Sequence, residues 1–164
     1  MSVQDSMDLI AIGFWESVED PGFVHPRKLV GSYGDAGEKA MLVAYLESGK
    51  RFSGQLGFSY CRFCCGEPVA KMGNLELSDG RWVWPQGLAH YVDKHDVVLP
   101  QRFMDYARSN NWQIPDSVEL PKHEMLPDGE TRRPVDYTFW MKLYPKGILA
   151  RIAGKIRQRF AEHG

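Results

Sequence analysis

Three cysteines fall within five positions, Cys61, Cys64 and Cys65, and two histidines follow in the run His90-Tyr-Val-Asp-Lys-His95. Nothing else in the chain restricts its folding so strongly. A disulfide-built secreted domain spreads an even number of cysteines along its length, whereas a tight cluster of three points to metal or redox chemistry. Cys61-Arg-Phe-Cys64 is a C-x2-C, whose thiolates can turn back on one ion at about 2.3 Å. His90 and His95 make an H-x4-H, with 25 residues between Cys64 and His90. On an ideal helix of ~3.6 residues per turn they would stand about 140° apart, so the second must sit where the helix tightens or ends. Cys61, Cys64, His90 and His95 together make a set of soft and borderline ligands that suits zinc better than iron. Four protein ligands leave no open position, so the expected zinc is structural rather than catalytic. Such an ion would contribute about 10–16 kcal/mol of apparent binding energy to folding. Cys65 reads as a spare buried thiol, and as the substitute if Cys61 or Cys64 points away.

Two other readings of the cysteines compete. A redox dithiol needs a helix starting right behind its first cysteine to lower the thiol pKa, and here Gly66, Pro68 and Gly73 follow instead. Alternatively the cysteines are reduced core thiols and the histidines ordinary half-buried side chains, since free cysteine is among the most buried residue types.

The surrounding pattern places this constellation on definite elements. Asp35 caps an expected helix carrying Ala36, Ala40, Val43 and Ala44 at helical spacing, and Ser48-Gly49 ends it. Gln55 to Tyr60 reads as a strand leading into the cysteines. Asn74-Leu-Glu-Leu-Ser and Arg81-Trp-Val-Trp alternate on either side of Asp79-Gly80, a strong hairpin signal. Trp82 and Trp84 then share one strand face and read as core, with Arg81 and Val83 on the other. Glu76 and Asp79 look like solvated face and turn residues. Gly87 to Asp96 reads as a short helix, and Leu99-Pro100 restarts the chain into a second, with Phe103, Met104 and Ala107 inward. Phe63, Tyr91 and Phe103 are expected to complete an aromatic cluster around the metal. Residues 110–133 are loop-rich, and His25 and His123 sit in proline-containing loops. Lys146 to Ala161 carries Ile148, Leu149, Ile152, Ile156 and Phe160 on one stripe with cations elsewhere, a basic amphipathic helix.

The expected fold class is therefore α+β: a small zinc-centred knuckle–hairpin–helix unit at about residues 56–109, flanked by helices. Residues 1–140 would form one domain and 141–164 a C-terminal basic amphipathic helix. At 164 residues and 43% hydrophobic content the chain can bury one sizeable core. No apolar run approaches the ~20 residues of a membrane span, and the acidic N-terminus lacks the basic start of a secretory signal. A cytoplasmic protein is expected.

Cys61-Arg-Phe-Cys64 together with Asp79 to Phe103, DGRWVWPQGLAHYVDKHDVVLPQRF, resembles a group of small uncharacterised bacterial proteins. They share a cysteine pair, a DG-x-WVWP-x-GL-x-HY turn and helix, a second histidine and an LP-x-x-F continuation. The resemblance covers about residues 61–103 and implies that cysteines and histidines belong to one unit. It carries no activity.

Charge distribution bears on partners. Residues 1–50 are net −4, residues 51–141 net −2 and residues 142–164 net +5, which excludes a whole-chain polycation for coating nucleic acid. The leading expectation is a zinc-stabilised, non-enzymatic protein making a protein–protein contact, of accessory, adaptor or immunity-like type. A nucleic-acid-binding module using the basic C-terminal helix is the alternative. It is disfavoured because the helix at His90–Asp96 carries Asp93 and Asp96 with Lys94 as its one lysine. A metal-dependent hydrolase comes third, since Ser78-Asp79 stands where a water-activating histidine would be needed and all four ligands are used. The basic helix could also meet an anionic membrane or simply cover core.

Overall fold

Asp79 organises the hairpin at the centre of the sheet. In the computed structural model, which describes residues 7–145, its carboxylate accepts from Arg81 N at 2.9 Å, Trp82 N at 2.7 Å and Tyr45 Oη at 2.7 Å. These bonds close the loop between β3 (Leu75–Ser78) and β4 (Trp82–Pro85), an antiparallel pair with Leu77 opposite Trp84. They also tie the hairpin to α1 (Ala36–Glu47), which supplies Tyr45 and starts at Asp35, whose side chain accepts from Gly37 N and Glu38 N. Asp79 and Glu76 are buried, contrary to the solvated roles expected of them. Each carboxylate stays inside because donors surround it: Glu76 accepts from Gln55 Nε2 at 3.0 Å and pairs with Arg133. Desolvation pushes the Asp79 carboxyl above its ordinary range, partly offset by the three donors.

The sheet is mixed, and its parallel half was not legible in the sequence. Its order is β2-β3-β4-β1-β7, with β1 (Leu9–Ala11) parallel to both β4 and β7 (Val135–Asp136). The expected strand at Gln55–Tyr60 lies earlier, at β2 (Lys50–Gly54), antiparallel to β3. Residues 55–60 are instead an exposed loop, held by Gln55 N to Asn74 O at 2.8 Å and Ser59 N to Gly73 O at 3.0 Å. A second small hairpin pairs β5 (Glu124–Met125) with β6 (Thr131–Arg132) across Asp128-Gly129.

Five helices accompany the sheets among the described residues: α1, α2 (Val69–Met72), α3 (Leu88–His95), α4 (Gln101–Ser109) and α5 (Thr138–Leu143). The chain is thus of mixed α and β composition, as expected. Trp82 and Trp84 are fully buried on one sheet face against Phe103 and Tyr45, and Trp84 Nε1 donates to Leu46 O at 3.0 Å. Val83 faces the other side with Leu9 and Ala11. Pro100 precedes α4, whose Phe103, Met104 and Ala107 point into the core. The expected basic helix at Lys146–Ala161 lies outside the described residues.

Asp79→Ala is expected to destabilise the fold by about 2–4 kcal/mol in urea denaturation, because two backbone N–H groups and a buried hydroxyl lose their acceptor. A solvated turn residue would change stability by no more than about 0.5 kcal/mol.

Candidate metal centre

The segment that carries the cysteines begins as a β-turn. Cys64 N donates to Cys61 O at 3.0 Å, leaving Arg62 and Phe63 as the central pair. Cys64 then takes the left-handed conformation at φ 53° and Gly66 follows at φ 82°. This reversal leaves Cys64 exposed and brings the next residue, Cys65, back toward Cys61. Phe63 N reaches Cys61 Sγ at 3.4 Å, and Arg62 N donates to Tyr91 Oη at 2.9 Å, which fixes the turn to α3.

α3 supplies the imidazoles. Gly87 sits just ahead of it, where a Cβ would lie 2.8 Å from Met72 Cε and 3.0 Å from Met72 O, so glycine permits the close approach of α2 and the start of α3. At the other end Asp96 N and Val97 N both return to Tyr91 O, the first closing a turn that spans five residues rather than four. A five-residue turn is wider than α, and it brings residues five apart toward one face. The helix ends at His95, where the sequence expected it to tighten or end, with this wider turn as its last. Asp96 takes the left-handed conformation that stops it, φ 50° and ψ 35°, and Lys39 holds it at 2.7 Å. The His90 and His95 ring centroids come within 5.1 Å.

Four side chains converge: Cys61, Cys65, His90 and His95, with one ligand atom from each lying within 4.8 Å of all the others. Cys61 Sγ is 3.3 Å from His95 Nε2, and Cys65 Sγ is 3.4 Å from His90 Nε2. Ligands at about 2.0–2.3 Å from a tetrahedral ion stand about 3.3–3.8 Å apart, so these two pairs already have the required spacing. The group is a Cys2His2 set positioned to hold a metal ion. Of the residues singled out in the sequence, Cys61, His90 and His95 meet here and Cys64 does not. The group pairs Cys61 with Cys65, a C-x3-C spacing, while Cys64 takes the left-handed step of the turn and stands outside it. No regular element begins between Cys61 and Val69, which also leaves a redox dithiol without a helix start behind its first thiol.

The surroundings serve the same set. Phe63 stacks on His95 with centroids 4.1 Å apart and planes 5° from parallel, and Arg27 lies 4.9 Å over the opposite partner, the Phe63 ring. Tyr91 is 6.2 Å from the His95 ring, whereas Phe103 belongs to the tryptophan cluster rather than to this one. Glu67, absent from the sequence reading, places a carboxylate oxygen 3.9 Å from His90 Nδ1, leaving Nε2 toward Cys65. Burial pushes the Cys61 thiol up and both histidines down, disfavouring the thiolate at one and the imidazolium at the others. His25 and His123 are elsewhere: His25 Nδ1 accepts from Arg27 N, and His123 stacks on Phe52.

The chain matches no protein-family model, no curated protein and no solved structure with significance. No helix among the described residues is long and apolar enough to cross a membrane.

Cobalt(II) titration is expected to give the strong visible absorption of a tetrahedral two-thiolate centre in the unmodified chain and in Cys64→Ser. Cys65→Ser should lose it. The opposite order would restore the C-x2-C pairing.

Proposed function

We propose that Cys61, Cys65, His90 and His95 hold one zinc ion that is structural, and that the protein is a non-enzymatic, zinc-stabilised module making a protein–protein contact. The observation that carries the metal reading is the close pairing of each sulfur with an imidazole Nε2, at 3.3 and 3.4 Å. Two sulfurs and two imidazoles are the donor set zinc prefers, and four protein ligands leave no position for an activated water. Glu67 places a carboxylate oxygen 3.9 Å from His90 Nδ1, a charge on the side of the ring opposite the Cys65-facing Nε2. In this arrangement the ion ties the knuckle to α3, making the expected knuckle–hairpin–helix unit a single body.

The contact reading rests on the loop that enters the knuckle. Leu56, Phe58 and Tyr60 are exposed there, at 106%, 57% and 58%, on a backbone fastened at Gln55 and Ser59. Alternate large apolar side chains on a fastened loop favour a protein partner over nucleic acid, which would need a basic surface. The basic segment invoked for nucleic acid, Lys146–Ala161, lies outside the described residues.

Elemental analysis of the purified chain should find one zinc per molecule, and phenanthroline should unfold it by circular dichroism, because binding energy and folding energy are the same quantity in such sites. A folded, ion-free chain indifferent to chelator would overturn the metal reading. For the contact, a photo-crosslinker at position 58 should yield a discrete protein adduct in cells that disappears with Leu56→Ser. A crosslinker at exposed Met125 should yield none. Equal adducts from both positions, or none from position 58, would overturn it.

A further inference from the structure

Cys65 is the member of the Cys2His2 group that faces outward. It is exposed, whereas Cys61 is 4% exposed and His90 and His95 are half-buried. All three cysteines are free thiols, and the two sulfurs of the group lie within 4.8 Å of each other. Both stand on one short stretch, Cys61 to Cys65, in which no helix or strand begins. Drawing the sulfurs into bonding distance therefore moves an irregular turn and no packed element.

The difference in access gives the two thiols different roles. An oxidant arriving from solvent meets Cys65 first, with Cys61 behind it, which is the arrangement of a reacting and a resolving cysteine. A bound ion keeps both sulfurs as thiolates, the nucleophilic form, without the helix start that a catalytic dithiol requires. Cys64 is exposed as well, but it stands outside the group. It is also a poor partner for Cys65, because adjacent Cα atoms are about 3.8 Å apart and a disulfide spans about 4.4–6.8 Å.

We propose that the metal group is redox-gated: a peroxide joins Cys65 and Cys61 in a disulfide and the ion is released. This rests on the structural zinc reading above. The Cys65 thiolate attacks one peroxide oxygen, the O–O bond breaks, and hydroxide leaves a sulfenic acid on Cys65. The Cys61 thiolate then attacks the Cys65 sulfur, the S–S bond forms, the S–O bond breaks and a second hydroxide departs. Each hydroxide takes a proton from the medium. The thiolates lose two electrons, the peroxide gains them, and zinc leaves with its charge unchanged. Two imidazoles are left, half of the four ligands a structural zinc requires. A thiol reductant reopens the disulfide and restores the site.

The test uses the full chain, with bound zinc measured first. Hydrogen peroxide is added, zinc release is followed with a chromogenic chelator, and remaining free thiols are alkylated before tryptic mass spectrometry. Arg62 gives trypsin a cut between Cys61 and the other two cysteines, and the alkylated residue tells Cys64 from Cys65. Zinc should be lost in step with two of the three thiols, leaving Cys64 as the alkylated one. Dithiothreitol with added zinc should restore the starting state. Cys64→Ser, which changes no member of the group, should respond as the unmodified chain does. Zinc that is present at the start and stays bound, with all three thiols still free, would overturn the proposal and leave the metal reading standing. A disulfide that includes Cys64, or release without a disulfide, would overturn it as well. A chain without zinc before peroxide is added is the separate failure of the metal reading, and the release falls with it.

Discussion

The widened last turn of α3 is the constraint on which the candidate centre depends. Residues five apart on a regular helix diverge, so His90 and His95 could not face one ion from an undistorted segment. Two N–H groups returning to Tyr91 O open the turn, and Asp96 in the left-handed region ends it. The same residue, Tyr91, accepts the Arg62 N–H through its hydroxyl. One side chain thus connects the geometry of the histidines to the turn that carries the cysteines. Lys39 adds a second brace from α1, reaching both Asp96 and the Asp93 carbonyl.

The rest of the fold presents α3 and the knuckle to each other. The hairpin places Pro85 at the end of β4, and Gly87 lets Met72 pack against the start of α3. The four-residue group lies at the surface end of this assembly, with Cys61 buried and Cys65 exposed.

Local signals were legible wherever backbone chemistry is decided by neighbours in sequence. Asp35 as a cap, Asp79-Gly80 at a hairpin and Pro100 before a helix act within a few residues, and each is found in place. The two tryptophans follow from strand alternation. What could not be read depends on distant partners. β1 has three residues and becomes a strand only because β4 and β7 flank it in parallel. Asp79 and Glu76 have the sequence character of surface residues, and they are internal because Tyr45 and Arg133 come to them from 34 and 57 positions away. The choice of Cys65 over Cys64 sits between these cases. Its cause is local, a turn followed by one left-handed residue, and Gly66 is the sequence trace of that reversal. Spacing alone favours the shorter pair, because it counts residues and not the direction in which the turn releases the chain.

Arg62 and Tyr91 join the cysteine-bearing turn to its surroundings. Both belong to the bond that fixes that turn on α3, and both line a cavity whose walls are aromatic: Phe14, Trp15, Phe23, Tyr91 and Tyr137. Arg62 also donates to Tyr60 O at 2.9 Å and lies 4.2 Å over the Tyr60 ring, so the loop that carries Leu56, Phe58 and Tyr60 shares the same anchor. An ion in the Cys2His2 group would restrain the turn between Cys61 and Cys65, and with it the backbone from which Arg62 projects. A single backbone N–H to hydroxyl bond at 2.9 Å, from Arg62 N to Tyr91 Oη, thus separates the turn that carries the cysteines from the cavity-lining ring.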